Sequence, residues 1–230
     1  MKTTTTVMVL ALGLASPAAA QRPAQPPARP APRRPLPPLP PEPPISFRPF
    51  VMGTEEAFAA VETFKAIFGK SYAPFFGGGL QVAFHGKYYV EVGASRFQQT
   101  GSRVFRNNGQ NFNLGIPLTA TITPLEITGG YRFRPRQFRQ LRPYLGAGVT
   151  SYAYKEVSDF AVSGEDLTTR HTGLVGVGGL EFRLHRYVGI SADMELSRVT
   201  GILGQQGISQ DVGESNLGGI SARFRLIVGR

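Results

Sequence analysis

Hydrophobic and polar residues alternate along several segments of the chain, which is the pattern of β-strands whose two faces meet different surroundings. The C-terminal segment GGISARFRLIVG, residues 218–229, shows this alternation over most of its length. Phe224 and Leu226 lie on one face of the predicted strand, whereas Arg223 and Arg225 lie on the other. In a soluble sheet the apolar face would cover a core. In a membrane barrel it would face lipid, and the arginines would point inward.

Eight segments with this alternation are predicted as strands. In chain order they are Ile45–Phe58, Phe75–Phe84, Lys87–Phe97, Pro117–Phe133, Pro143–Lys155, His171–Leu184, Tyr187–Val199 and Leu217–Val228. A short helix is expected in AAVETFKAIFGKS, between the first two strands. Runs of about ten alternating residues with alternately long and short connections are typical of membrane barrels, and closure leaves no unpaired strand edge in lipid. The sequence therefore predicts an all-β fold, an eight-stranded antiparallel up-and-down transmembrane β-barrel.

The polar faces of these strands carry charges of both signs, which we interpret as a structural charge cluster in the barrel lumen. Its predicted members are Glu91, Glu126, Arg132, Glu181, Arg183, Asp193, Glu195, Arg223 and Arg225. Side chains just fill the interior of an eight-stranded barrel, and a buried charge without a partner is strongly destabilising. We therefore expect opposite charges to pair. Asp193 and Glu195 on the seventh strand should meet Arg223 and Arg225 on the eighth.

A soluble lipocalin-type barrel, with its apolar faces around an apolar ligand, would show the same alternation. Two further features favour a membrane. Glycines are dense in FFGGG, YLGAG and GVGG, which suits a narrow barrel with a crowded interior. Aromatic residues gather near the predicted strand ends, as an interfacial girdle would. These residues are Tyr88, Tyr131, Phe133, Tyr144 and Tyr187.

The first 44 residues have a different composition and are predicted to lie outside the barrel domain. Residues 1–20 combine one lysine, a short apolar stretch and three final alanines, which is typical of a secretory signal peptide cleaved near Ala20. Residues 21–44 contain twelve of the nineteen prolines and are predicted to form an extended Pro-rich periplasmic spacer. The barrel domain is therefore assigned to residues 45–230.

Charge and cysteine content exclude several classes of partner and site. The formal net charge is +10, but residues 49–230 hold 19 basic and 14 acidic residues, so the folded part is only mildly basic. Nucleic acid is not expected as a partner, because the chain is exported and its basic groups are not clustered with aromatic residues. The arginines of the spacer are candidates for contact with cell-wall polymer. The absence of cysteine excludes disulfides and thiolate metal sites.

Three histidines are the candidate catalytic groups. His85 and His185 fall in predicted turns on the periplasmic side, whereas His171 begins the sixth strand at the opposite rim. An enzyme hypothesis would pair His171 with residues of the preceding loop, which are Asp159, Ser163, Glu165 and Asp166. No GxSxG, HExxH or phosphate-binding loop occurs in the sequence, and we predict no catalytic residue, cofactor or metal. An outer-membrane lipid-modifying enzyme that uses His171 is kept as an alternative.

The segments ITPLEITGGYRFRP and LRPYLGAGVTSYAY resemble the bacterial outer-membrane β-barrel domain family, the small barrels of OmpX, OmpW and OmpA-transmembrane type. The resemblance is sharpest at Gly130–Phe133 and Pro143–Gly148. It implies location in the bacterial outer membrane as a monomer, with outer-membrane lipid and the barrel-insertion machinery as partners. Members of the family often end in an aromatic residue, whereas this chain ends RLIVGR.

The function expected from these observations is that of a non-enzymatic outer-membrane protein, serving envelope integrity or surface contact through its extracellular loops. Both ends of the barrel domain are expected on the periplasmic side. The resemblance also implies an alternative, a narrow OmpW-like pore for small or apolar solutes. A pore needs a continuous uncharged path through the barrel, which the predicted lumen charges oppose.

Overall fold

The computed structural model describes residues 41–107, 109–158, 167–204 and 207–229. Its elements in chain order are β1 (Ile45–Phe58), α1 (Val61–Phe68), β2 (Tyr72–Phe84), β3 (Tyr88–Asn107), β4 (Gln110–Arg132), β5 (Leu141–Ser158), β6 (Leu167–His185), β7 (Val188–Arg198), α2 (Gly207–Asp211) and β8 (Gly219–Val228). The strands form one closed antiparallel sheet in chain order, with β8 paired to β1. The predicted all-β, eight-stranded antiparallel barrel is therefore confirmed. The predicted signal peptide and most of the predicted spacer lie outside the described residues.

The two ends of the barrel carry different connections. The turn end, as we name it, carries the β2–β3, β4–β5 and β6–β7 connections together with the start of β1 and the end of β8. The loop end carries α1, the tip of the β3–β4 hairpin, the β5–β6 connection and α2. Among the described residues, no helix is both long and apolar enough to cross a membrane.

Burial alternates along the strands in step with the sequence, and the buried face is the barrel interior. On β8, Arg223 and Arg225 are each 3% exposed, whereas Phe224 between them is 69% exposed. On β7, Asp193 is 5% exposed and Met194 is 62% exposed. The charged residues therefore point inward and the apolar residues outward, which is the reverse of the arrangement in a soluble barrel.

The β3–β4 hairpin is longer than the sequence predicted, and this part of the prediction was wrong. Residues 98–113 were expected to form a loop, but residues 98–107 continue β3 and residues 110–113 belong to β4, with Asn107 paired to Gln110. On its other edge, β4 pairs with β5 only from Leu118 onward. A hairpin that projects beyond a neighbouring strand has no buried face to impose an apolar row, so its sequence lacks the alternation of a barrel strand. The early start of β6 and the helix α2 were not predicted either.

Aromatic side chains lie on the outer surface near the turn end. Tyr131 meets Tyr88 and Phe133 edge to face, with ring centroids 5.3 and 4.9 Å apart. All three are exposed, as is Tyr187. The girdle prediction was wrong for Tyr144, which is 5% exposed and points into the barrel. In this part of β5 the even-numbered residues face inward, and a position near a strand end does not decide the face.

The interior at the loop end is filled by an apolar cluster, which we call the apolar cap. Its larger members are Phe58, Phe64, Phe75, Phe97, Ile122, Tyr152, Tyr154, Val199, Ile202, Leu203 and Leu217. The predicted helix, α1, supplies Phe64, whose ring stacks on Phe58 with centroids 3.9 Å apart. The Glu214 carboxylate accepts hydrogen bonds from the backbone N–H groups of Glu62 and Thr63 at 3.0 and 2.9 Å. These bonds satisfy first-turn donors that have no partner within the helix, and they fix α1 across the loop end.

Glycines on inward faces make room for large side chains from other strands. The Tyr89 hydroxyl on β3 lies 2.3 Å from the position that a Cβ on Gly146 of β5 would take. The Tyr89 ring is buried and meets Tyr144 edge to face, with centroids 6.1 Å apart. A side chain at position 146 would therefore have to displace the tyrosine. This close approach is a direct measure of how narrow the barrel is.

Replacing Gly146 with valine should lower the free energy of unfolding by about 1–3 kcal/mol, because the new side chain overlaps Tyr89. Ala147→Val is the matched control, since Ala147 is exposed on the outer face of the same strand. The control should change the free energy of unfolding by less than about 0.5 kcal/mol. Urea unfolding in detergent micelles, followed by circular dichroism, measures both. Equal unfolding midpoints would contradict the packing of Gly146 against Tyr89.

Candidate functional site

Arg225 of β8 lies near the centre of the interior charge network. Its Nη1 donates to both carboxylate oxygens of Glu91 on β3, at 2.7 and 2.8 Å. Its Nε donates to Ser191 Oγ at 3.0 Å and lies 3.0 Å from Oδ2 of Asp193 on β7. The Tyr144 hydroxyl on β5 accepts a hydrogen bond from Nη2 and donates to Asp193 at 2.6 Å. One guanidinium group therefore connects β8 with three other strands.

Arg223 is shared by three carboxylates. The register of β7 and β8 places it opposite Asp193, and Nε lies 2.6 Å from Oδ1 of that residue. Its Nη1 lies 2.9 Å from Oε2 of Glu126 on β4 and also forms an ion pair with Glu195. Charge-assisted hydrogen bonds of this kind are stronger than neutral ones, particularly away from water. Loss of Arg223 would leave three buried carboxylates without this cation.

A second group of charges is centred on Glu181 of β6, closer to the turn end. Arg48 Nη2 lies 2.6 Å from Oε1 of Glu181, and Arg132 Nη2 lies 2.5 Å from Oε2. The Nε atom of Arg183 is 3.7 Å from Oε1. Glu181 is 1% exposed, and its two oxygens are approached by guanidinium groups from β1, β4 and β6. The carboxylate therefore compensates several buried cations at once.

Arg48 and Gln81 join the two groups, and sequence analysis missed both of them. Arg48 donates a 2.5 Å hydrogen bond to Gln81, which in turn donates to Glu91 at 2.8 Å. The signal in the sequence was the position of Arg48 on the inward face of an alternating strand. Phe50 and Met52 lie on the same inward face, so the first strand did not show a consistently polar side.

At the turn end the network reaches Glu42, which precedes β1. The Glu42 carboxylate lies 2.5 Å from Arg142, 3.2 Å from Arg183 and 3.4 Å from Arg134. Burial alone would raise the pKa of Glu42, but the hydrogen bond from Arg142 and the charges of the three arginines outweigh this and lower it below its ordinary value. The sequence predicted an extended spacer over residues 21–44, and a run of prolines gives no indication that its single carboxylate is bound.

Toward the loop end, the network meets the apolar cap at Tyr152. The Tyr152 hydroxyl donates to Oε1 of Glu56 at 3.0 Å and lies 3.3 Å from Ser197 Oγ, while its ring belongs to the cap. Glu56 is 3% exposed. Side chains of the network and of the cap therefore follow one another along the interior, from the turn end to the loop end.

The predicted lumen residues all lie on inward faces, and all but Arg183 are buried. Arg183 is half-buried because it lies two residues before the end of β6, at the barrel mouth. Asp193 contacts both Arg223 and Arg225, whereas the ion pair of Glu195 is with Arg223. The structure thus brings this set together through two linked groups of charges rather than one.

The candidate catalytic histidine, His171, lies on β6 near the loop end. It is half-buried, and its ring lies 3.0 Å from the position that a Cβ on Gly201 would take. Its hypothetical partners Asp159, Ser163, Glu165 and Asp166 lie outside the described residues. Over the ranges that the structure describes, no group of three or more histidine, aspartate or glutamate side chains is placed to hold a metal ion.

Comparison with known proteins finds similarity of fold. No family model matches the sequence, and no curated protein matches it. Among solved structures, the chain is similar to the N-terminal β-barrel domain of Pseudomonas aeruginosa OprF, with 13% identity, 80% of this chain and 97% of that chain covered, and a TM-score of 0.46. It is also similar to Ail, the attachment invasion locus protein of Yersinia pestis, in complex with the heparin analogue sucrose octasulfate (14% identity, 80% and 96% covered, TM-score 0.45). The outer membrane protein OprG from Pseudomonas aeruginosa matches at 11% identity (80% and 93% covered, TM-score 0.41).

Replacing Arg223 with leucine should destabilise the barrel by about 3–5 kcal/mol, because it leaves three buried carboxylates without their shared cation. Arg170→Leu is the control, since Arg170 is exposed on β6 near the loop end. Its effect on the free energy of unfolding should stay within about 0.5 kcal/mol. Urea titration of the refolded variants gives both values. A control variant that unfolds at the same urea concentration as Arg223→Leu would contradict the interior role of Arg223.

Proposed function

We propose that this protein is a non-enzymatic bacterial outer-membrane β-barrel that does not conduct, and that it serves envelope integrity or surface contact through its loop end. One observation carries the proposal. The closed barrel is apolar on its outer face and carries ion pairs on its inner face. This arrangement suits a barrel that is surrounded by lipid. A closed sheet of this kind satisfies all its backbone groups without water, which is the requirement for spanning a bilayer with strands.

The outer surface supports location in a membrane. Large apolar side chains cover it along every strand, including Phe47, Val51, Phe76, Leu80, Val90, Val92, Leu125, Ile127, Leu145, Val149, Leu174, Leu180, Ile190, Met194, Leu196, Ile220, Phe224 and Leu226. A continuous apolar surface of this extent is rare on soluble monomers, whose largest apolar patch spans a few hundred Å². The lipocalin-type alternative requires the apolar faces to point inward, and they point outward.

Orientation and assembly follow from the same proposal. The short turns, the start of β1 and the end of β8 would face the periplasm, and the loop end would face the outside of the cell. Outer-membrane lipid would then surround a monomeric barrel, and the barrel-insertion machinery would handle its last strand. Phe224 and Val228 are exposed on the outer face of β8, the strand that this machinery would handle.

The filled interior supports a non-conducting barrel rather than a pore. Arg225, Arg223 and their carboxylate partners occupy the middle of the barrel, and the apolar cap occupies its loop end. Open aqueous channels belong to barrels with about twice as many strands. Solute passage would require both the ion pairs and the cap to separate.

The β3–β4 hairpin supports a role in surface contact. Its tip extends beyond the pairing of β4 with β5, and it carries the cross-strand pair Phe105 and Phe112. These side chains are 56% and 48% exposed. Exposed aromatic residues on a projecting hairpin are suited to contact with a neighbouring surface. The loop end, rather than the interior, is therefore proposed as the functional face.

An arginine in place of Met194 should destabilise the barrel in a bilayer by about 2–4 kcal/mol, because Met194 lies outward in the middle of β7. Phe105→Arg is the matched control, since Phe105 is also an exposed apolar residue but lies on the hairpin tip. It should cost about 0–1 kcal/mol. Unfolding of both variants from phospholipid vesicles measures the difference. Equal small costs at the two positions would favour a soluble barrel.

The purified barrel should give no steady ion current in planar bilayers, because its interior is filled by the charge network and the cap. Insertion is verified separately by heat-modifiable migration on gels and by protease resistance. Gly93 and Gly189 both lie on inward faces. Steady single-channel conductance would overturn the non-conducting proposal in favour of a narrow pore if bulky substitution at either glycine abolished it.

A further inference from the structure

The turn end contains a strongly basic cavity beside the barrel mouth. Its volume is about 440 Å³. The charged side chains among its described lining residues are Glu42, Arg134, Arg139, Arg142, Arg183 and Arg186. Five guanidinium groups and one carboxylate thus line the described part of the cavity, so positive charge is in excess there. Such an excess in a partly enclosed space attracts anions.

Glu42 shows how an anion is held there. Its carboxylate is approached by Arg142 and Arg183 at 2.5 and 3.2 Å. The segment that carries it is fixed against the β2–β3 turn, where the N–H group of His85 donates to the Pro44 carbonyl at 2.9 Å. The side chain of Glu42 also packs on Gly86, where any Cβ would lie 2.7 Å from Glu42 Cγ. The glutamate therefore occupies part of the basic cavity as an anionic group supplied by the chain itself.

The Glu42 carboxylate does not satisfy every donor of Arg142. Arg142 is 5% exposed, and its Nη1 is buried with no hydrogen-bond partner in the described part of the chain. A buried charged donor without a partner is costly, so an additional acceptor would be bound favourably. Glu181, the next carboxylate along the interior, is already shared by Arg48, Arg132 and Arg183. Within the described part of the chain, Arg142 Nη1 therefore remains a buried donor that a further acceptor could satisfy.

We infer that the basic cavity at the turn end is a binding site for phosphate groups, and that Glu42 is its resident competitor. The planar forks of Arg142 and Arg183 match phosphate oxygens in pairs, and a phosphate offers more acceptor oxygens than the glutamate. The phosphate source is either a lipid headgroup at the level of the barrel mouth or a soluble phosphate compound. This site lies at the end of the barrel opposite the contact loops, so its ligand is separate from any surface that the loops contact.

Titration calorimetry with inorganic pyrophosphate tests the site on the full chain, in a sugar-headed detergent and phosphate-free buffer. Glu42→Gln should tighten binding about tenfold, because it removes the competing charge, whereas Arg142→Gln should weaken binding about tenfold or more. Arg170→Gln, at the loop end, is the control and should bind as the unmodified chain does. Two substitutions at one cavity that change pyrophosphate affinity in opposite directions cannot both be explained by damage to the fold.

Heat-modifiable migration establishes which variants are folded. If Arg142→Gln does not fold, Arg186→Gln in the exposed β6–β7 turn replaces it, with weaker binding as the expected result. Absence of pyrophosphate binding overturns the inference. Equal weakening of binding by Arg170→Gln also overturns it, because the attraction of pyrophosphate would then be general to the positive charge of the protein. Weaker binding in Glu42→Gln overturns it as well, because Glu42 would then not compete with the phosphate.

Repeating the titration in nanodiscs distinguishes the two phosphate sources. Discs of phosphatidylcholine alone are compared with discs that also contain phosphatidylglycerol. If a lipid headgroup is the natural ligand, the unmodified chain should bind pyrophosphate more weakly in the anionic discs than in the phosphatidylcholine discs. Arg142→Gln should then show no such difference between the two kinds of disc. Equal binding in both kinds of disc supports a soluble phosphate compound.

Discussion

Every charge inside a closed eight-stranded barrel must find its partner among the other side chains, and the organisation of this molecule follows from that constraint. The interior is too narrow for a water-filled lumen, and the outer face is apolar. Arg223 and Arg225 satisfy the constraint by bridging β8 to the strands that carry Glu91, Glu126 and Asp193. These ion pairs cross the barrel as well as the β7–β8 seam, so they oppose both collapse and slippage of the sheet.

The network is polarised along the barrel axis, and this gives the two ends different properties. Near the loop end carboxylates outnumber arginines among the described residues, because Glu126 and Glu195 share Arg223 and Glu56 is bound by the Tyr152 hydroxyl. Near the turn end the balance is reversed around Glu42. The acidic side is sealed by the apolar cap, whereas the basic side opens to a cavity. The closed end therefore suits contact through its loops, and the open end suits binding of anions.

Much of the fold was predictable, and the errors have physical causes. Alternation identified the eight strands because barrel strands separate an apolar outer face from an interior that carries the charges, as Phe224 and Arg225 illustrate. The β3–β4 hairpin was missed because its tip does not separate two environments. Tyr144 was assigned to the outer girdle because a tyrosine near a strand end suits either face, and only its register decides that its hydroxyl bonds Asp193. Arg48 was missed because Phe50 and Met52 share its face.

The sequence by itself determined which residues share a face, since side chains alternate along a strand whatever the fold around it. It did not determine which face is inside, because a lipid-embedded barrel and a soluble one obey the same alternation. The tertiary structure decided this by burying Arg223 and exposing Phe224, with a register that places Asp193 opposite Arg223. Contacts between distant segments, such as Glu42 with Arg142 and Glu214 with α1, were decided by tertiary structure alone, because no local pattern records a partner about 100 residues or more away.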